Sequence, residues 1–145
     1  MPISIRTYGP YREDELLALY ESVGWTNYTH RPALLREAYR HSLCAFAAYD
    51  GERLAGVVRA VGDGASILYV QDLLVHPDYQ RLGIGARLLR ALLAAFPDVY
   101  QTVLLTDDQA PTAAFYESLG FSRAASQGCA AFVRISPPSG DALGS

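Results

Sequence analysis

The chain has 145 residues, 50% of them hydrophobic and 19% charged, enough for one globular domain that buries about two thirds of the surface its unfolded chain exposes. Twelve basic and 15 acidic residues leave a formal net charge of -3, which gives no drive toward nucleic acid or an anionic membrane. All 12 basic residues are arginine, so a Walker-type phosphate loop, a Schiff-base lysine and a pyridoxal-binding lysine are excluded.

Ile3 to Tyr8 alternates apolar and polar residues and predicts a half-buried strand. Residues 12 to 23 open with Glu13, Asp14 and Glu15 and repeat Leu16, Leu17, Leu19, Tyr20 and Val23 at helical spacing before Gly24. The aromatic stretch from Gly24 to His30 reads as a loop, and Pro32 starts a second helix through about Ser42. Three strands follow, Leu43 to Tyr49, Arg53 to Val61 and Ser66 to Val75, separated by Asp50-Gly51 and Gly62-Asp63-Gly64 turns. Gly85 to Phe96 is an Ala/Leu-rich helix, Thr102 to Thr106 a short strand, and Pro111 to Leu119 a helix capped by Gly120. Phe121 to Ala125 and Cys129 to Ile135 read as final strands, and the Pro/Gly/Ser-rich residues 136 to 145 as a flexible tail. The order β-α-α-β-β-β-α-β-α-β-β predicts a mixed α/β layer fold in a single domain, residues 1 to 135.

Cys44 and Cys129 sit in apolar strand-like runs outside any CxxC or histidine cluster. They are expected as buried thiols, with a lone disulfide between them as the alternative, and no metal site is expected. With no signal-peptide pattern and no run near the roughly 20 apolar residues of a membrane span, the expected location is the cytoplasm, with no membrane partner.

The stretch from Asp72 to Gly85 carries the chemistry: an apolar strand passes through His76-Pro77 into a glycine-bearing helix start. The first N–H groups of a helix lack intrahelical acceptors and its dipole is positive there, so a pyrophosphate can bind backbone where no side chain blocks it. Gly83 and Gly85 supply that clearance, with Gln80 and Arg81 as rim donors. The alternative for G-x-G alone is a tight turn needing positive φ. The dinucleotide fingerprint fails, because Leu88 stands where its third glycine belongs.

With Gln80, Gly83 and Gly85 in this spacing, Val75 to Gly85 resembles motif A of the GNAT superfamily of acetyl-CoA-dependent N-acetyltransferases. Phe115 to Phe121, FYESLGF, is similar to that family's motif B. The resemblance extends over nearly the whole domain. It implies a central strand pair that splays, leaving main-chain groups of Leu73, Leu74 and Val75 to pair with the pantetheine arm, and a pyrophosphate held by residues 80 to 86, including Leu82, Ile84 and Ala86. Gln109, Thr112 and Phe115 are implied along the cofactor, although Gln109 and Thr112 depart from the Asn and Ala usual there.

By the same resemblance Tyr116 is the general acid that protonates the leaving CoA sulfur, in a direct attack through a ternary complex; the alternative is a tyrosine that only packs under the cofactor. Tyr69 and Gln71 stand where family members place a catalytic glutamate or histidines. Asp72, the only carboxylate on that strand, is the candidate base or amine-binding group, its alternative being a structural carboxylate that accepts backbone N–H bonds. The implied acceptor site takes in Trp25, Tyr28, Tyr39, Tyr69 and Gln71 and suits a small aromatic or alkyl amine, while such aromatics serve equally as core. A non-catalytic acyl-CoA sensor and a protein N-terminal acetyltransferase are the other readings, in a monomer or homodimer.

Overall fold

Alternation at the N-terminus forms β1 (Ile3–Thr7), and the acidic first turn begins α1 (Glu13–Ser22), as the charge pattern predicts. In the computed structural model, which describes residues 2–136, the chain falls into two units, one ending at Thr106 and one beginning at Asp107. The first unit continues with α2 (Thr26–Thr29), α3 (Pro32–Arg40), β2 (Cys44–Asp50), β3 (Arg53–Gly62), β4 (Ile67–Val75), α4 (Ile84–Ala95) and β5 (Gln101–Leu104). Helix α2 is a correction: the stretch expected as a loop contains a four-residue helix, too short to show a period.

The sheet runs β1-β2-β3-β4-β5, antiparallel from β1 to β4 with β5 parallel to β4. It is the mixed sheet the element order predicts. The turn between β3 and β4 is held by Asp63, whose carboxylate accepts the N–H groups of Ala65, Ser66 and Ile67 at 2.8, 2.7 and 3.0 Å and the Ser66 hydroxyl at 2.6 Å. The Ser66 hydroxyl and those N–H groups hold the carboxyl well below its usual range.

Helix α4 lies on one face of the sheet and α1 on the other. Leu16, Leu19, Tyr20 and Leu35 pack with Ala47, Tyr49, Val57 and Leu74, whereas Gly56, next along β3, approaches Leu88 of α4. Opposed residues of an antiparallel ladder share a face. Ala60 opposes Val70 and Arg59 opposes Asp72, which leaves Gln71 as an unpaired bulge residue. The bulge puts Val70 on the α4 face and Asp72, two positions on, with Arg59 and Val57 on the α1 face.

In the second unit α5 (Ala110–Ser118) forms as predicted, but neither final strand does. Ala124–Gln127 is one turn of 3₁₀ helix closed by Gly128 at φ 78, with the Gly128 and Cys129 N–H groups bonded to Ala125 O and Ala124 O. The small residues of S-R-A-A-S offer too little apolar surface to hold an extended strand against this local turn. Residues 129–136 carry no regular structure, so Cys129 is exposed instead of buried, and Cys44 is half-buried. The expected tail, beyond residue 136, lies outside the described residues. Among the described residues no helix is long and apolar enough to cross a membrane.

Candidate functional site

Two features of the first unit meet where β4 gives way to α4. The parallel ladder between β4 and β5 runs from Ile67/Gln101 to Val70/Leu104 and stops, at the residue before the Gln71 bulge. A bulge bends its strand and increases the local twist, and past it Leu73, Leu74 and Val75 have no strand partner on the β5 side among the described residues. This is the splayed pair the family resemblance implies.

Beyond Val75 the chain makes one 3₁₀ turn, Pro77–Tyr79, whose Tyr79 hydroxyl donates to Asp50 at 2.6 Å. Gln80 donates its side-chain amide to Val75 O at 3.0 Å, so both groups are engaged by the chain itself. Arg81 takes a positive φ of 67° and Gly83 one of 77°, a region costly for any residue with a Cβ. Arg81, Leu82 and Gly83 are exposed. The first intrahelical bond of α4 is Arg87 N–H to Gly83 O at 3.1 Å, and no side chain caps the helix. The N–H groups of Ile84, Gly85 and Ala86 therefore precede the ladder and have no acceptor among the described residues, and a Cβ built on Gly83 meets nothing within 4 Å.

On the α1 face, Asp72 is 3% and Arg59 4% exposed. Asp72 Oδ2 accepts Arg59 Nε at 2.9 Å and the Tyr20 hydroxyl at 2.8 Å, with Arg59 Nη2 also 2.8 Å away. Among the described residues Oδ1 meets only the Tyr28 hydroxyl, at 3.4 Å. Arg59 reaches Ser42 Oγ at 3.2 Å and Tyr28 at 3.4 Å, and Tyr20 shares a 2.8 Å bond with Tyr39. Burial, then Asp72, pushes the Tyr28 phenol up, while Gln71 and Arg59 pull it back. Tyr20 is driven far up by burial, Tyr39 and Asp72. Burial opposes the charge on Arg59, and Asp72 beside it more than restores it. Asp72 thus meets side-chain donors in place of the backbone N–H groups expected for a structural carboxylate.

Tyr69 opposes Val61 on β3 and so shares the Arg59 and Asp72 face. Trp25 stands edge-on to Tyr20 at 5.8 Å, and Tyr28 to Tyr20 at 5.2 Å. Trp25, Tyr28, Tyr69, Gln71 and Asp72, named from the sequence, therefore belong to one face or its bulge. Tyr39, also named from the sequence, joins them through its bond to Tyr20, whereas Arg59 and Tyr20 were missed. An arginine alone in the apolar run AGVVRAVG is the signal that could have found the first, since a buried guanidinium requires an acid.

The second unit places Phe115 and Tyr116 ring to edge at 5.0 Å and Tyr116 against Phe121 at 5.8 Å. Asp107 organises the start of α5, accepting the Gln109 N–H at 3.0 Å and the Thr112 hydroxyl at 3.2 Å. Burial, then the charge of Asp107, raises the Tyr116 phenol above its ordinary value of 10.0.

The profile of the acetyltransferase (GNAT) family matches residues 11–121. A GNAT-family acetyltransferase of Streptococcus pneumoniae is 37% identical, with a TM-score of 0.85 over 94% of this chain and 100% of its own. A putative acetyltransferase of Deinococcus radiodurans is 27% identical, with a TM-score of 0.72 over 91% of this chain and 87% of its own. Among curated proteins, an uncharacterized N-acetyltransferase of Porphyra purpurea is 29% identical over 112 residues and a histone acetyltransferase of Glycine max 33% over 121, each match covering 74% of this chain. The chain spans 63% and 50% of the lengths of these two relatives.

Proposed function

Because the chain belongs to the GNAT acetyltransferase family, we propose that it transfers the acetyl group of acetyl-CoA to a small aromatic or alkyl amine by direct attack. The observation that carries this reading is the β4–α4 junction: an open strand edge leads into three free helical N–H groups beside a glycine whose side-chain position is empty. Bound acetyl-CoA supplies an acetyl thioester. The N–H groups of Ile84, Gly85 and Ala86, with Arg81 at the rim, would hold its pyrophosphate. Main-chain groups of Leu73 and the Val75 N–H would hold its amide arm as an added strand is held; Leu74, like His76 with its N–H on Ala55 O at 2.7 Å, turns its groups toward β3, and the Val75 carbonyl is taken by Gln80, so each contributes less than the sequence suggests.

Tyr116 is assigned the acid. Its raised phenol keeps the proton through neutral pH, as a donor to a departing thiolate must. With Oδ2 committed to Arg59 and Tyr20, any share Asp72 takes in receiving the amine proton runs through Oδ1 and the Tyr28 hydroxyl. Arg59 and Asp72 neutralise each other, so this face offers no surplus carboxylate for a polybasic peptide, and its aromatic rings favour a small amine. The same commitment of Oδ2 favours one other reading, an acyl-CoA sensor without turnover.

A panel of amines with acetyl-CoA, following thiol release, separates the two. The chain has no lysine, so release reports the added amine with little background. Turnover with a small amine supports the enzyme, CoA binding without turnover supports the sensor, and absence of CoA binding overturns both. Tyr116→Phe is expected to keep CoA affinity and to lower the single-turnover rate on the order of 100-fold. The wild-type alkaline limb due to this phenol should lie above pH 10.0, because its pKa is raised. A wild-type rate in the Phe variant would reduce Tyr116 to packing.

A further inference from the structure

The turn that joins β4 to α4 is pinned by an imidazole. His76 donates its N–H to Ala55 O at 2.7 Å, and its carbonyl accepts the Tyr79 N–H at 2.8 Å. Its ring adds a third bond: Nδ1 accepts the Asp78 N–H at 3.0 Å and so caps the Pro77–Tyr79 turn. An imidazole nitrogen accepts a backbone N–H only through a lone pair, so the capping ring is neutral and carries its proton on Nε2. Arg53 of β3 brings Nη2 to 3.4 Å from Nε2, while its guanidinium donates to Asp78 Oδ2 at 3.0 Å and lies 5.2 Å over the Tyr79 ring. Tyr79 stands edge-on to the imidazole at 6.2 Å, with Asp50 of β2 behind it on its hydroxyl. The His76 side chain is 23% exposed, so water reaches it.

We propose that His76 is a positioning residue for CoA, holding the turn before α4 through its neutral Nδ1, so that protonation of this one imidazole loosens the turn and weakens CoA binding in acid. The inference rests on the acetyl-CoA reading of the β4–α4 junction. A proton on Nδ1 sets donor against donor at the Asp78 N–H. The acceptor it finds instead is Asp78 Oδ2, 3.9 Å away and already bound to Arg53, so the cap is exchanged for a carboxylate shared between two cations. Only Gln80, Arg81 and Leu82 separate the turn from Gly83, the cap of α4. Within them Arg81 holds a φ of 67°, which a residue with a Cβ keeps only where the flanking chain imposes it. Releasing one end of so short a segment leaves the ligand to order it, at a cost in affinity.

Calorimetric titration with CoA from about pH 8 to about pH 5, an interval that spans the charging of an imidazole, compares wild type with His76→Asn and His76→Ala. Asparagine restores a capping acceptor that takes up no proton, and alanine supplies none. At about pH 8, His76→Ala is expected to bind CoA about 5-fold more weakly than wild type, the worth of one cap, and His76→Asn to rescue that loss. At about pH 5, wild type should bind about 5-fold more weakly than His76→Asn. The phosphate of CoA titrates in the same interval, and the ratio of wild type to His76→Asn cancels it. In ligand-free wild type the Asp78 amide resonance should move with the titration of the His76 ring, a readout that needs neither variant nor CoA. A constant ratio, an Ala variant equal to wild type at about pH 8, an Asn variant that rescues nothing, or an Asp78 amide indifferent to the ring overturns the proposal. Wild type that binds no CoA at any pH overturns the acetyl-CoA reading and this role with it, and is told apart because the other affinity outcomes all require binding.

Discussion

Arg59→Met is expected to lower folding stability by about 3–5 kcal/mol, the cost of leaving a buried carboxylate without its counter-ion. Asp72 and Arg59 are both nearly inaccessible, and the guanidinium supplies two of the donors around Asp72 Oδ2. The double variant Arg59→Met, Asp72→Leu should recover most of that loss, because a well-packed apolar pair often replaces a buried ion pair without penalty. Urea unfolding followed by circular dichroism gives all three values. A single variant as stable as wild type would show that water reaches Asp72 and that the pair is not the fixed floor of this face.

Deletion of Gln71 is expected to leave the fold standing and to weaken CoA binding on the order of 1,000-fold. Gln71 has no partner on β3, so its removal preserves the Ala60/Val70 and Arg59/Asp72 pairs and the face of every other side chain. It removes the bend. β4 can then continue beside β5 past Leu104, and its open edge closes. Three or four main-chain hydrogen bonds to a ligand, each worth about 1 kcal/mol, account for the size of the loss. Calorimetric titration with CoA, beside a thermal melt, reads both quantities. Unchanged affinity in a folded deletion variant would mean that the ligand does not use the strand edge.

How much of this was legible in the sequence depended on whether the signal was local. Gly83 and Gly85 at a helix start, and the FYESLGF run, state their geometry within a few residues, and the structure keeps them at the starts and faces of α4 and α5. The bulge was hidden by the burial pattern it creates. Leu68, Val70, Asp72 and Leu74 are all buried, so the even positions of β4 read as one face of an unbroken strand, although the first two lie toward α4 and the last two toward α1. Without the bulge Asp72 cannot be assigned to Arg59, and Tyr20, 52 residues away in sequence, gives no hint that its hydroxyl belongs there. The two final strands failed for the opposite reason: alternation in Phe121 to Ala125 and Cys129 to Ile135 is a local signal, but a strand also needs a neighbour, and a sequence does not say whether one is supplied.

Trp25 is the only tryptophan in the chain, and its indole rests edge-on against Tyr20. Emission excited beyond the tyrosine absorption band therefore originates from a single place, half-buried at the rim of the phenol, carboxylate and guanidinium network. A molecule settling against Tyr28 changes the polarity around that indole and shifts its emission, so acceptor candidates can be ranked optically with unlabelled protein, before any is shown to react.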